Sequence, residues 1–257
     1  MALNEPHRRH RRLRIAAAGD LHCREATREA LEEAFSRLDG DGADLVLLAG
    51  DLTSHGTVEE AEILAAAAAR TETPVYAVLG NHDWHAGQAE RIVETLRGAG
   101  IGMLDRRGAV CEVEGLEVGM AGCKGFVGGF APRQLPDFGE PALRAVYAET
   151  GAEVEALDEG LREIATCPLR IALLHYSPLE ATLKGEPLEI FAFLGSDRLA
   201  APILEHGPDL VLHGHAHEGC AEGQIGAVPV LNVSLPVSGG EFRMLELDAG
   251  DAHSPIP

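Results

Sequence analysis

Carboxylate, amide and imidazole side chains recur in this chain immediately after short apolar runs. The run IAAAGD ends in Asp20, with His22 two residues on. LVLLAG leads into Asp51, VYAVLG into Asn81 and His82, IALL into His175, and LVLHG into His215, with His217 two residues further. In extended backbone, residues i and i+2 point the same way. Asp20 with His22, and His215 with His217, can therefore each grip one site as a pair. Two Asp, one Asn and four His (His22, His175, His215, His217) offer oxygen and imidazole nitrogen without thiolate. That donor set suits Mn, Fe, Zn, Co or Ni better than Ca or Mg. Seven donors are too many for one first-row ion that keeps a water; they suit two divalent ions sharing a carboxylate. Any one of these His, taken alone, reads more readily as an ordinary core histidine than as a ligand. Their recurrence at five strand ends is what argues for a site.

The elements that must position these residues follow from periodicity. Apolar runs predict strands over Leu13–Gly19, Asp44–Gly50, Val75–Gly80, Leu169–His175 and Asp209–His213. Amphipathic stretches between them predict helices over Arg24–Leu38, Thr57–Arg70, Gly87–Gly98, Pro141–Thr166 and Ser196–His206, with Thr57 and Ser196 as N-caps. Ile101–Gly122 and Gly223–Leu247 read as short paired strands with glycine turns. A βα-alternating body with β-rich segments predicts an α/β fold of stacked sheets flanked by helices. Open α/β sheets place sites at the carboxyl ends of their strands, so five such ends would converge on one rim. Residues 122–140 and 177–195 read as long irregular loops, which in a compact domain are usually functional or mobile.

The chain has 257 residues, 41 Asp+Glu against 21 Lys+Arg, and a formal net charge of −20. The length predicts one domain over residues 13–248. The first twelve residues are expected to form a disordered basic arm, and 249–257 a tail. The apolar stretch Ile15–Ala18 is too short for a signal-peptide core, and no run approaches a membrane span. Five cysteines, an odd count without CxxC spacing, argue against a disulfide framework. Reduced thiols in the cytoplasm are the expectation. Cys23 reads as a small core filler, or as a residue able to approach a metal. The acidic surface opposes polyphosphate backbones, so nucleic acid is not the expected partner. Monomer and homodimer both remain open.

The ordered set Asp20-Leu21-His22, Gly50-Asp51, Gly80-Asn81-His82-Asp83, His175 and Gly214-His215-Ala216-His217 resembles the calcineurin-like metallophosphoesterase superfamily. All five motif blocks occur in family order. The resemblance implies a sandwich of two mixed β-sheets flanked by helices, with a dinuclear metal centre. It implies one ion on Asp20, His22, Asp51 and His217 and the other on Asp51, Asn81, His175 and His215. It also implies hydrolysis of a phosphoester by a metal-bridging hydroxide, with His82 on the substrate side rather than among the ligands. Asp83 is then the carboxylate that orients His82, or else a helix N-terminal cap. His213 reads as a strand residue before it reads as a ligand.

Departures from subgroup patterns bear on the substrate. Protein phosphatases of the superfamily continue the second motif as GDxVDRG. This chain has GDLTSHG, which lacks the phosphate-gripping Arg. DNA-repair nucleases carry a capping domain for which 257 residues leave little room. A small phosphodiester is the expected substrate, with phosphomonoester hydrolysis, nuclease activity and a non-catalytic scaffold as alternatives. His55, Lys124 (among glycines at 122–130) and Arg198 are the candidate substrate contacts, and the segment around 185–198 is a candidate lid.

Overall fold

The computed structural model describes residues 12–248. The chain first alternates β1 (Arg12–Ala18), α1 (Arg28–Arg37), β2 (Leu45–Ala49), α2 (Val58–Ala68), β3 (Val75–Val78), α3 (Ala89–Gly98) and β4 (Gly102–Met103). A hairpin of β5 (Arg107–Val113) and β6 (Leu116–Gly122) follows, then a small ribbon of β7 (Gly129–Phe130) and β8 (Arg133–Gln134), and the long α4 (Pro141–Glu163). The rest comprises β9 (Leu169–Leu173), α5 (Phe191–Leu194), α6 (Ala200–His206), β10 (Leu210–His213), β11 (Glu222–Ile225), β12 (Val228–Asn232) and β13 (Arg243–Asp248).

Two sheets carry the fold. One has the order β13-β1-β2-β3-β4, the other β11-β12-β10-β9-β6-β5. Their central strands are parallel and the flanking strands β13, β11 and β5 antiparallel. Strands buried on both faces read as continuous apolar runs, and the two-residue period decides which layer each side chain enters. Leu13, Ile15 and Ala17 of β1 join Leu45 and Leu47 of β2, Ile171 and Leu173 of β9 and Leu212 of β10 between the sheets. Ala16, Ala18, Val46 and Leu48 point the other way, against Leu31 and Phe35 of α1, Leu64 of α2 and Ile92 of α3. Ala172, Val211 and Val230 pack against Leu157 and Leu161 of α4 and Ile203 of α6. The result is a helix–sheet–sheet–helix stack in one α/β domain.

The stack brings the carboxyl ends of the two parallel sets together. Gly19, just beyond β1, donates to the carbonyl of Val233, just beyond β12, at 2.8 Å and accepts from Leu235 at 2.9 Å. The ring of His175, after β9, reaches the carbonyl of Ala49 at the end of β2 at 2.9 Å.

Several boundaries differ from the periodicity. The Arg24 backbone bonds the Thr27 hydroxyl in both directions, so a 3₁₀ turn over Glu25–Thr27 precedes α1. Ser196 caps a 3₁₀ turn at Asp197–Leu199, and α6 begins only at Ala200. Thr57 caps α2 as expected, accepting from Glu60 N. The segments expected to pair locally do so in part: β5 pairs with β6 and β11 with β12, whereas β4 joins β3 and β13 crosses to pair with β1. Of the expected basic arm, residues 1–11 lie outside the described residues, as does 249–257. Arg12 opens β1 and bridges Glu246 and Asp248 of β13, each at 3.1 Å.

Leu47 is fully buried between the sheets on a central strand. Leu47→Ala is expected to destabilise the fold by about 3 kcal/mol, read as a lower urea midpoint at unchanged slope.

Candidate metal centre

The loops after the strands turn through unusual backbone. Asp20 (φ 60°), His22 (φ 43°), Asp51 (φ 49°) and His215 (φ 70°) all occupy the left-handed region. Such residues are strained, and strain of this kind gathers at functional sites. Each loop is pinned by an apolar neighbour: Leu21, Leu52 and Leu79 enter the helix-side core, and Ala216 is fully buried between its two His. The polar residues on either side are thereby turned to the other side, into one hollow. Packing there is close enough to need glycine. A Cβ on Gly80 would lie 2.1 Å from Asp51 Oδ1, and one on Gly50 would lie 2.6 Å from the His175 ring.

Three triads of donor atoms result, each within 4.8 Å: Asp20, His22 and His217; His22, Asp51 and His82; Asp51, His175 and His215. They share His22 and Asp51. His215 and His217 go to different triads, although simple alternation would aim them together. The reason is the left-handed turn at His215, which breaks the extended run. Asp20 and His22, likewise left-handed, do stay together.

For three of the rings a backbone carbonyl settles which nitrogen carries the proton, because a carbonyl can only accept. The Ala49 carbonyl takes the proton of His175 Nδ1 at 2.9 Å, and the Ser54 carbonyl that of His82 Nδ1 at 2.8 Å. The Phe193 carbonyl takes that of His215 Nε2 at 3.1 Å. His175 Nε2 therefore presents a lone pair. It faces Asn81 Oδ1 at 2.9 Å and Asp51 Oδ1 at 3.4 Å, which are also lone-pair atoms. The second Asp51 oxygen lies 3.9 Å from both His22 Nε2 and His82 Nε2. Asp20 accepts from His217 Nε2 at 2.8 Å and from the His215 backbone N–H at 2.9 Å.

The electrostatics match this arrangement. Burial lowers the pKa of His175 to about 4, and burial with the adjoining His175 lowers that of His215 to about 4. Burial also lowers His22. These rings are neutral near pH 7, as ligands must be. Burial and the neighbouring Asp20 charge raise Asp51. Burial alone would raise Asp20 too, but the bond from His217 and the nearby imidazoles outweigh it and hold it low. That bond in turn raises His217. The lone pairs of His175 Nε2, Asn81 Oδ1 and Asp51 Oδ1 converge with no proton between them, an arrangement that a cation satisfies. The oxygen and nitrogen donors fit two divalent ions of the Mn, Fe, Zn, Co or Ni type.

Other expected residues fall in varied places. Asp83 is fully buried and does not face the His82 ring, whose Nδ1 is taken by Ser54. Its carboxylate accepts from Gly80 N (2.7 Å), Thr53 N (2.8 Å), Leu52 N (3.2 Å) and the Thr53 hydroxyl (2.6 Å), tying the Asp51 loop to the Asn81 loop. It is neither the expected orienting partner of His82 nor a cap. Burial outweighs these four donors and pushes its pKa up to about 6. His55 is exposed and held by Glu60, with its Nδ1 2.7 Å from Glu60 Oε1. Arg198 donates to the Tyr147 carbonyl at 2.9 Å and stacks on the Tyr147 ring, lining a cavity against α4 rather than the metal-site hollow. Lys124 does lie beside Asn81, on the wall of one cavity, with its ammonium bonded to the Gly125 carbonyl. His213 is buried in β10 and bonded to Thr182, a strand residue. Cys23 sits in the helix-side core, where burial pushes its thiol pKa up, away from the thiolate a metal would need.

Sequence reasoning missed the three carbonyls that set the tautomers, Thr53 as partner of Asp83, and the aromatic residues Trp84 and Tyr176. Trp84 and Tyr176 had a signal in their positions directly after motif residues. The Phe193 carbonyl had none.

Two predictions follow from this packing. Gly80→Ala should displace Asp51 and destabilise the fold by at least ~2 kcal/mol, since added bulk in a filled site forces rearrangement; calorimetric melting checks it. The second concerns acid. Burial lowers His213, like His175, to about 4, and both are fully buried. Both lie below the unfolded value of about 6.5, so the unfolded state binds more protons. Stability of the metal-free chain should therefore fall as pH drops from about 6.5 to about 4, by roughly 1.4 kcal/mol per pH unit for each ring. Urea titrations of His213→Gln should show a slope shallower by one proton; an unaltered slope would contradict the assignment.

Comparison with known proteins agrees with this geometry. The family model for calcineurin-like phosphoesterases matches residues 13–219. No curated protein sequence matches. Among solved structures, phosphopantetheinyl hydrolase from Mycobacterium tuberculosis is similar at TM-score 0.64 and 15% identity, over 86% of this chain and 88% of that one. A Thermus thermophilus protein is similar at 0.58 and 19%, over 93% and 99%. GAP50, the anchor in the inner membrane complex of Plasmodium, is similar at 0.57 and 12%, over 88% and 72%. At these identities the structural likenesses speak to the fold alone. With the model matched from β1 through the last motif His, the chain belongs to the calcineurin-like phosphoesterase family.

Proposed function

We propose that this chain hydrolyses a small phosphodiester with two divalent metal ions. The observation that carries the reading is the set of three donor triads sharing His22 and Asp51. One ion would be held by Asp20, His22, Asp51 and His217, the other by Asp51, Asn81, His175 and His215. When bound, the pair would supply Lewis acidity, activating water and offsetting phosphate charge.

The chain's own residues do the rest. Asp51 holds the two halves of the site at a fixed spacing, and the Ala49 carbonyl keeps His175 Nε2 free of a proton. Asp83 locks the Asp51 and Asn81 loops to each other. His82 is partly exposed at the rim and oriented by the Ser54 carbonyl, and would face a phosphoryl group bound at the ions. From there it can stabilise that group or pass a proton to the leaving alkoxide. Its Nε2 lies within reach of His22 and Asp51, so the family resemblance, rather than distance, separates it from the ligands.

The absence of the GDxVDRG arginine favours a singly charged diester. Lys124 beside Asn81 favours the second reading, a phosphomonoester whose extra charge it could meet. The net charge of −20 opposes nucleic acid at a distance. The complete ligand set opposes a purely scaffolding role. No described helix is long and apolar enough to cross a membrane. All five cysteines are unpaired, which fits a reducing compartment such as the cytoplasm.

Metal-loaded protein is expected to hydrolyse bis-p-nitrophenyl phosphate faster than p-nitrophenyl phosphate. His82→Ala should lower kcat by about 100-fold with bound metal unchanged by elemental analysis. Full turnover in that variant would remove His82 from the mechanism, and a faster monoester would favour the second reading.

A further inference from the structure

The chain is poor in aromatic residues, with seven Phe, three Tyr and one Trp among 257. Three of them meet at one place. Trp84, Phe126 and Tyr176 line a cavity of about 360 Å³ together with Asn81, Lys124 and Glu149. Asn81 belongs to the metal-site hollow, so the cavity opens beside the position of the reacting phosphate. The Tyr176 ring touches both sides, with its centroid 4.5 Å from that of His215 and 5.8 Å from that of Phe126. Trp84 is half exposed, unusual for so large an apolar side chain.

The wall is built rather than incidental. Lys124 Nζ lies 4.2 Å from the Phe126 centroid and 5.2 Å from that of Tyr176. It is held there by the Gly125 carbonyl at 2.9 Å and by the buried Glu153 at 3.8 Å. Glu153 also accepts from Gly125 N at 3.0 Å and from Arg106 at 2.8 Å, and Arg106 is bonded to Glu149 as well. A second cavity of about 460 Å³ adjoins the first, sharing Trp84, Lys124 and Glu149 and adding Asp105. Past the aromatic rings, a ligand would meet Asp105 and the mutually paired Glu149, Glu153, Arg106 and Lys124, a lining that holds both acceptors and donors. Such a mixed lining suits a neutral ring with polar edges.

We infer that Trp84, Phe126 and Tyr176 form a subsite for a planar, nitrogen-bearing ring carried on the esterified alcohol, so that the substrate is a phosphoester of a nucleoside-like alcohol. The inference rests on the phosphoesterase reading for the phosphate end. The cavity volume lies in the usual range for a small-molecule site. Stacking on aromatic side chains is the sequence-tolerant way such rings are held.

Trp84 is the only tryptophan, so its fluorescence reports on this subsite alone. The test uses two phosphonates without an ester bond to cut, the 5′-methylene phosphonate of adenosine and that of ribose, added to zinc-loaded full-length chain. The adenosine compound is expected to quench Trp84 and to bind at least about tenfold tighter than the ribose compound. In Trp84→Leu, calorimetry should bring the two within about threefold. Equal affinities in the unaltered protein, or binding without a response from Trp84, would overturn the subsite. Hydrolysis of bis-p-nitrophenyl phosphate by the same preparation separates the two claims. Turnover with equal affinities removes the ring subsite and keeps the phosphoesterase. Ring-dependent binding without turnover on any phosphoester keeps the subsite and removes the phosphoesterase.

Discussion

Asp51 and Asp20 are two buried carboxylates in one hollow, where burial and the Asp20 charge make Asp51 costly to ionise while the bond from His217 keeps Asp20 ionised. Their environment makes sense with cations between them and is costly without. Much of the surrounding structure serves this constraint. The left-handed turns at Asp20, His22, Asp51 and His215 aim donors that straight strands would scatter. Backbone carbonyls of Ala49, Ser54 and Phe193 hold the protons of three rings away from the centre. Asp83 spends four hydrogen bonds on keeping the Asp51 and Asn81 loops at a fixed separation. Glycines 50 and 80 leave room for contacts that a methyl group would prevent.

The sandwich is what makes this assembly possible. Parallel strands put their carboxyl ends on one edge, and stacking two such sheets with their edges aligned places Asp20 and Asp51 opposite His175 and His215. The anchor is apolar: Leu21, Leu52 and Leu79 enter one core, and the alternation of β1, β2, β9 and β10 fills the space between the sheets. A site made of strained loops is thus carried on strands with no exposed face. This also reconciles phosphate chemistry with an acidic chain. The distant surface opposes large polyanions, whereas an ion pair at the centre would meet one small phosphate at short range.

Some of this was legible in the residues and some was not. Strand positions were readable because fully buried strands have no polar face to blur the pattern. The donors were readable because they follow those strands directly. Helix starts were not, since the Arg24–Thr27 and Ser196–Arg198 bonds favour 3₁₀ turns that periodicity does not register. Strand partners were not either: the crossing of β13 to β1 depends on where the chain can reach, and alternation says nothing of that. The division of His215 from His217 needed the backbone turn at His215. Asp83 looked like a partner for its neighbour His82, yet the three-residue reach back to Gly80 and the contact with Thr53 won, because a buried carboxylate goes where several donors converge. Arg198, close in sequence to the rim, is drawn away by the face of Tyr147.

The central claim is that one carboxylate, Asp51, serves two cations. Calorimetric titration of the metal-free chain with zinc, at neutral pH, tests it most directly. Two ions per chain are expected for the unaltered protein, and Asp51→Ala should weaken both binding events rather than remove one. A single ion per chain, or a variant that keeps one event at full affinity, would contradict the shared site.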